Sequence, residues 1–166
     1  MKLFKTNLVS RPIFIALISL LIFFIPLHPT QAALDYGKQS LVGEDFSNMD
    51  LKGATFYLTD LHNADLSGSD LQGASLFGAK LENTNLSNSN LREVTMDSAV
   101  LEGTDLTNAV MEDAFAFNAR FNDVKIKGTD FSNVPFNKNE INKLCDTADG
   151  INPFTKRSTR DTLGCD

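Results

Sequence analysis

The run Ala64-Asp65-Leu66-Ser67-Gly68-Ser69-Asp70-Leu71-Gln72-Gly73-Ala74-Ser75-Leu76-Phe77-Gly78 repeats itself every five residues. In each unit the third position is large and apolar (Leu66, Leu71, Leu76), the first is small (Ala64, Ser69, Ala74) and the fifth is glycine. The phase holds in both directions. The large series starts at Phe46, Leu51, Phe56 and Leu61 and ends at Phe121, Ile126, Phe131 and Phe136, with Ala116 as its one small member. The small series, from Ala54 to Val134, contains only Ala, Ser, Thr and Val. Gly, Asn or Asp dominates two residues after each centre. Neither a helical period of about 3.6 nor a strand period of about 2 generates this pattern. Each unit therefore reads as one short extended face and one corner. Gly, Asn and Asp suit the corner because they tolerate left-handed backbone angles and form turn hydrogen bonds. Two inward positions sharing a narrow interior must be one large and one small.

These units resemble the pentapeptide-repeat family, whose units read Ala-(Asp/Asn)-Leu-x-x; Ala64-Asp65-Leu66-Ser67-Gly68 and Ser69-Asp70-Leu71-Gln72-Gly73 are close matches. The resemblance implies an all-β solenoid, a right-handed quadrilateral β-helix over residues 46–138, with four units to a coil. Stacked coils would be about 4.8 Å apart.

The N-terminus changes the charge count. Lys2, Lys5 and Arg11 precede an apolar run from Ile13 to Ile25, interrupted only by Ser19, and Thr30-Gln31-Ala32-Ala33 follows. The run is shorter than the ~20 residues that span a bilayer. Basic, apolar and small-residue regions in that order predict a signal peptide over residues 1–32, cut between Ala32 and Ala33, with an uncleaved anchor as the alternative. Cleavage removes three basic residues and no acid, so the formal charge of −6 becomes −9. A chain this acidic repels a phosphate backbone, so no nucleic-acid partner is expected. No membrane insertion is expected after cleavage.

Cys145 and Cys165 are the only cysteines. In an oxidising compartment the pair reads as a structural disulfide, ahead of a metal site or a redox switch. Residues 33–45 read as an N-terminal lead-in or cap, with Leu41 still in phase. Residues 139–166 read as a helical, disulfide-tied cap. Asn139 is the expected N-cap of a helix carrying Ile141, Leu144 and Cys145 on one face, and Gly150 its stop. This tail is similar to the ends of pentapeptide-repeat proteins of the thylakoid lumen and the cyanobacterial periplasm. That resemblance implies export to one of those compartments.

Stacking of the coils reads the outside as ladders. One face carries Tyr57, Phe77, Asp97 and Phe117 after its centres and Thr55, Ser75, Thr95, Phe115 and Pro135 before them. Tyr57, Phe77, Phe115 and Phe117 are expected to form an exposed aromatic patch that contacts an unidentified protein partner or a second copy of the chain. Ala116, between Phe115 and Phe117, leaves space that either ring could turn inward to fill. Ladders of Asp on the other faces read as the acidic position of the repeat rather than as Ca²⁺ sites. His62 stands without a nucleophile motif, a phosphate loop or a metal-ligand cluster, so no catalytic residue, cofactor or metal is expected. The favoured reading is a non-catalytic scaffold or protein-interaction module. The alternative is an acidic DNA mimic that inhibits or protects gyrase, which requires a chain that is not exported.

Overall fold

The computed structural model describes residues 33–165; the expected leader over residues 1–32 and the Ala32 side of its cut lie outside the described residues. Single-residue parallel bridges pair Asp35 with Thr55, Ser40 with Asp60, Asp45 with Asp65 and Asp50 with Asp70, and continue to Val110 with Asp130. Where the pairing lengthens it makes β1 (Val100–Glu102) and β2 (Arg120–Asn122), parallel and in register Val100 to Arg120. Each bridged residue thus pairs with the residue twenty further on, so four units close one coil. This is the solenoid expected from the repeat.

Backbone hydrogen bonds link successive coils, and local bonds such as Ala64 N–H to the Leu61 carbonyl (3.0 Å) close the turns. Leu66 N–H donates to the Asn85 carbonyl at 2.8 Å and Asn85 N–H donates to the Ala64 carbonyl at 3.0 Å. Corners are left-handed: Asn48, Asn63, Asn83 and Asn88 all have φ near +58°, between 55° and 59°. Gly68 shares that corner conformation (φ +64°), which glycine adopts at least cost.

The interior follows the two series. Leu51 through Leu106 of the large series are fully buried, as are Ala54, Ala64, Ala74 and Ala79 of the small series. Inward hydroxyls are not orphaned: Thr84 Oγ1 donates to the Leu61 carbonyl and Thr104 Oγ1 to the Leu81 carbonyl, both at 2.7 Å. Hence Thr substitutes for Ala without leaving a buried donor unpaired.

The two ends differ from the expected boundaries. Bridging starts at Asp35, so residues 33–45 build the first coil instead of a separate cap. Tyr36 stacks on Phe56 at 4.9 Å and meets Phe46 edge-on at 5.4 Å, which plugs that coil. At the other end Pro135 has no N–H to give to the coil below, so the ladder stops there. Phe136, next after Ala116 in its column, packs edge-on against Phe121 (5.3 Å) and Phe131 (5.6 Å).

Phe136 is the last column member, so the chain is free to leave β geometry at the next residue. The N-cap of α1 (Lys138–Thr147) is therefore Asn137, whose Oδ1 accepts from Glu140 N–H at 2.9 Å. Asn139 lies within the first turn and is not the cap. Leu144 is buried by this helix, and Ile141 and Cys145 are half-buried. The helix ends at Ala148, which returns to extended angles, rather than at Gly150. Gly150 (φ +86°) serves close approach: a Cβ there would be 2.9 Å from Gly128 N.

The tail closes the last coil. Nδ2 of buried Asn152 is shared among the carbonyls of Asn108, Ala109 and Gly128 at 3.1, 3.0 and 2.8 Å. The short α2 (Thr159–Leu163) then presents Thr162 Oγ1 to Phe131 N–H at 3.1 Å. A disulfide joins Cys145 of α1 to Cys165 just beyond α2.

Candidate functional site

Before the centre, two of the four faces carry mostly Asp or Asn (Asp45, Asp65, Asn85 and Asp105; Asp50, Asp70, Asn90 and Asp130), and a third carries Asp60 followed by Lys80, Val100 and Arg120. Ser67 N–H donates to Asp65 Oδ1 at 2.8 Å, Ser87 N–H to Asn85 Oδ1 at 3.1 Å and Thr107 N–H to Asp105 Oδ1 at 2.9 Å. These side chains close Asx turns, which is the local job of the Asp ladders. The carboxylates are further neutralised between coils. Lys52 pairs with Asp70 at 3.0 Å, Lys125 with Asp105 at 3.2 Å and Arg92 with Glu112 at 3.1 Å. Among the described residues no group of His, Cys, Asp or Glu is arranged to hold a metal ion. His62 bridges two coils, with Nδ1 2.6 Å from Asp60 Oδ1 and Nε2 3.3 Å from Glu82 Oε2.

The resulting shifts have visible causes. The Ser47 N–H on Asp45 and the His62 ring on Asp60 hold those carboxyls below the usual range. Burial pushes Asp105 upward, but hydrogen bonds from Thr107 and Lys125 outweigh it and the net direction is down.

The fourth face breaks this scheme. After Asp35, it carries Thr55, Ser75, Thr95 and Phe115 where two of the other faces carry mostly Asp or Asn. The face gathers exposed aromatic rings among hydroxyl side chains and Asp97. Tyr57 and Phe77 are stacked at 5.6 Å with an interplanar angle of 20°, and 39% and 38% of their surfaces remain exposed. Phe115 and Phe117 are more open, at 55% and 66%. Neither ring turns inward beside Ala116; Ala116 is buried and both neighbours point out. The four residues named from the sequence are thus all on one outer face. Tyr57 and Phe77 touch, whereas Phe115 and Phe117 lie further along the face, beyond Asp97.

Three further residues complete the face. Lys38 Nζ lies 5.7 Å from the Tyr57 ring centroid. Leu58, exposed and left-handed (φ 53°), fills the corner, and its Cδ2 sits 2.6 Å from where a Gly78 Cβ would be. Asp97 Oδ1 accepts from Phe117 N–H at 2.7 Å, an inter-coil bond that replaces the missing Asx turn at Phe115. The sequence ladder contained Asp97, but the roles of Lys38 and Asp97 depend on inter-coil contacts that no spacing reveals.

A cleft of about 570 Å³ between α1 and the last coils is lined by Glu102, Asp123, Lys143 and Asp146 among others, beside the apolar Phe121 and Leu144.

The family profile for pentapeptide repeats matches residues 40–76 and 74–113 in 8 copies. A crystal structure of a pentapeptide repeat protein from the thylakoid lumen of Arabidopsis thaliana superposes with a TM-score of 0.77 at 38% sequence identity, covering 78% of this chain and 90% of that one. The chain belongs to the pentapeptide-repeat family. Among curated proteins this pentapeptide-repeat chain is similar to the thylakoid lumenal 15 kDa protein 1 of the Arabidopsis thaliana chloroplast, 44% identical over 48 residues. That match covers 29% of this chain and only 21% of the relative's length, so it concerns a stretch of repeats.

Proposed function

We propose that the protein is a non-catalytic scaffold or interaction module, exported to the thylakoid lumen or periplasm, that binds a protein partner through the face of Tyr57, Phe77, Phe115 and Phe117. The observation that carries this reading is the exposure of four aromatic rings on one outer face. Large rings left in water beside polar faces favour burial against another surface. The basic–apolar–small order of residues 1–32 supports export. So does the lumenal residence of the Arabidopsis relatives. A rigid rod whose backbone is bonded coil to coil suits presenting a surface more than closing around a substrate.

The test places a photo-crosslinking amino acid at Phe117 and, in a control, at Ser67 on the opposite face. Each form is exposed to extract of its own compartment. A discrete adduct from position 117 that is missing from position 67, and is lost in a Tyr57→Ser, Phe77→Ser background, supports the docking face. Equal labelling from both faces overturns it. Intact mass of the accumulated protein tests export independently, because a mass that includes residues 1–32 contradicts it.

A further inference from the structure

We infer that Asp97 makes the aromatic face a receptor for a cationic side chain, arginine or lysine, presented on an otherwise apolar segment of a partner polypeptide. The inference rests on the docking reading above and specifies its chemistry. Its geometry comes from the carbonyl ladder. Lys38 N–H donates to the Tyr57 carbonyl (2.8 Å), Leu58 to Phe77 (2.9 Å), Gly78 to Asp97 (3.0 Å) and Ser98 to Phe117 (3.1 Å). Tyr57, Phe77, Asp97 and Phe117 therefore succeed one another one coil at a time, about 4.8 Å apart. Asp97 is the rung between two phenylalanine rungs. Its Oδ1 is held by the Phe117 N–H, which fixes the carboxylate on this face.

Charge then selects the occupant. Asp60, Asp70, Asp105 and Asp130 each have a cationic partner from a neighbouring coil or the tail. Asp97, like Asp45, Asp50, Asp65 and Asp113, is in no ion pair among the described residues, but it stands between two phenylalanine rungs. A wholly apolar partner covering the face would strip water from an unpaired carboxylate, which is strongly unfavourable. An acidic partner is repelled. A guanidinium or ammonium pairs with the carboxylate and lies against the flanking ring faces, where the quadrupoles attract it. The chain uses that chemistry at the other end of the same ladder, where Lys38 lies over Tyr57. The formal charge of −6 also steers basic partners toward this rod and opposes a second copy.

The test is selection from a library of randomised peptides on the purified protein, in the form that accumulates in the cell, with parallel panels on Asp97→Asn and Phe77→Ser. Asparagine keeps the acceptor for Phe117 N–H, so Asp97→Asn removes charge without removing the inter-coil bond. The expected result is enrichment of peptides with arginine or lysine between apolar residues, on the native protein alone. Replacing that arginine by neutral citrulline then weakens binding about tenfold. Peptides that bind the native and Asp97→Asn proteins equally but fail on Phe77→Ser overturn the cation site and leave the docking face standing. Selection that yields the same peptides on Phe77→Ser as on the native protein, or none on either, overturns both.

Discussion

Arg157 Nε lies 2.8 Å from Asp130 Oδ2, and Nη2 of the same guanidinium lies 2.8 Å from Glu112 Oε1. One tail residue therefore joins two carboxylates from successive coils. Arg92 extends the chain from below through Glu112 Oε2 at 3.1 Å. The Asp130 side chain is fully buried, whereas Arg157 is 39% exposed. Removing the cation strands a buried anion, which is far less favourable than losing a surface pair. Arg157→Met should lower stability by about 2–3 kcal/mol, a value discounted for the exposure of the guanidinium. Arg157→Met combined with Asp130→Asn should be milder than the single change. Urea denaturation measures both, and a single variant with an unchanged midpoint would contradict the clamp.

The same network sets the response to acid. Hydrogen bonds from Arg157 and Arg92 hold Glu112 below the usual carboxylate range. Burial pushes Asp130 upward, but hydrogen bonds from Ser132 and Thr155 and the charge of Arg157 bring it below its ordinary value. Asp60 and Asp105 are lowered as well. When the folded pKa is lower than the unfolded one, the unfolded chain takes up protons first as pH falls. These groups therefore stabilise the fold at neutral pH, and the contribution is lost as pH falls below about 4. Thermal midpoints across pH should show that decline, and a shallower one for Arg157→Met.

Reduction of Cys145–Cys165 opens a loop of sequence separation 20. The loop-entropy account gives about 3 kcal/mol for a closure of this size. Asn152 and Arg157 still anchor the tail to the coils, so the loss should fall on α1. Hydrogen exchange should accelerate over Lys138–Thr147 while the Leu66 and Leu86 amides stay protected. Equal acceleration in the coils would mean that the disulfide supports the whole rod.

The aromatic face should matter little to stability. Phe77→Ser loses the stack with Tyr57, about 0.5–1.5 kcal/mol. Phe117→Ser changes an exposed ring, and surface changes of that kind stay within about 0.5 kcal/mol. A thermal melt that moved by tens of degrees would show these rings to be part of the core.

The columns were legible because a period of five forces its two inward positions to declare themselves: Leu66, Leu71 and Leu76 could not face anywhere else. The disulfide was legible from Cys145 and Cys165 alone. The first coil was misjudged as a lead-in because Tyr36 and Leu41 are too few to establish a phase before Phe46. The helix cap was misplaced at Asn139 because the entry point depends on Pro135 ending the ladder and on Phe136 filling the last position of the column. Arg157 and Asn152 carried no periodic signal. Their partners, Glu112, Asp130 and the carbonyls of three separate residues, are distant in sequence and meet only once the coils are stacked. The aromatic face was visible as a ladder, but the hydrogen bond that holds Asp97 to Phe117 N–H within it depends on the stacking of coils.

Leu86 and Ala116 provide the sharpest contrast within the core. Leu86 is fully buried mid-column, flanked by Leu66 and Leu106 on adjacent coils. Leu86→Ala opens a cavity that rigid neighbouring coils cannot close, so about 3–4 kcal/mol should be lost. Each coil depends on its neighbours, so that loss should appear in the main unfolding transition. Ala116 has the opposite problem. Its successor in the column, Phe136, is packed against Phe121 and Phe131, and the chain goes directly from Phe136 to the Asn137 cap. Ala116→Leu adds bulk beneath that aromatic cluster and should destabilise by about 1–3 kcal/mol through overpacking. Because the displaced ring leads into α1, the damage should be local: protease should cut near residues 136–140 before the rod melts. If Ala116→Leu instead raised the melting temperature with no new cleavage, the site would be an unfilled cavity, and the edge-on packing of Phe136 would not be the reason a small residue interrupts the column.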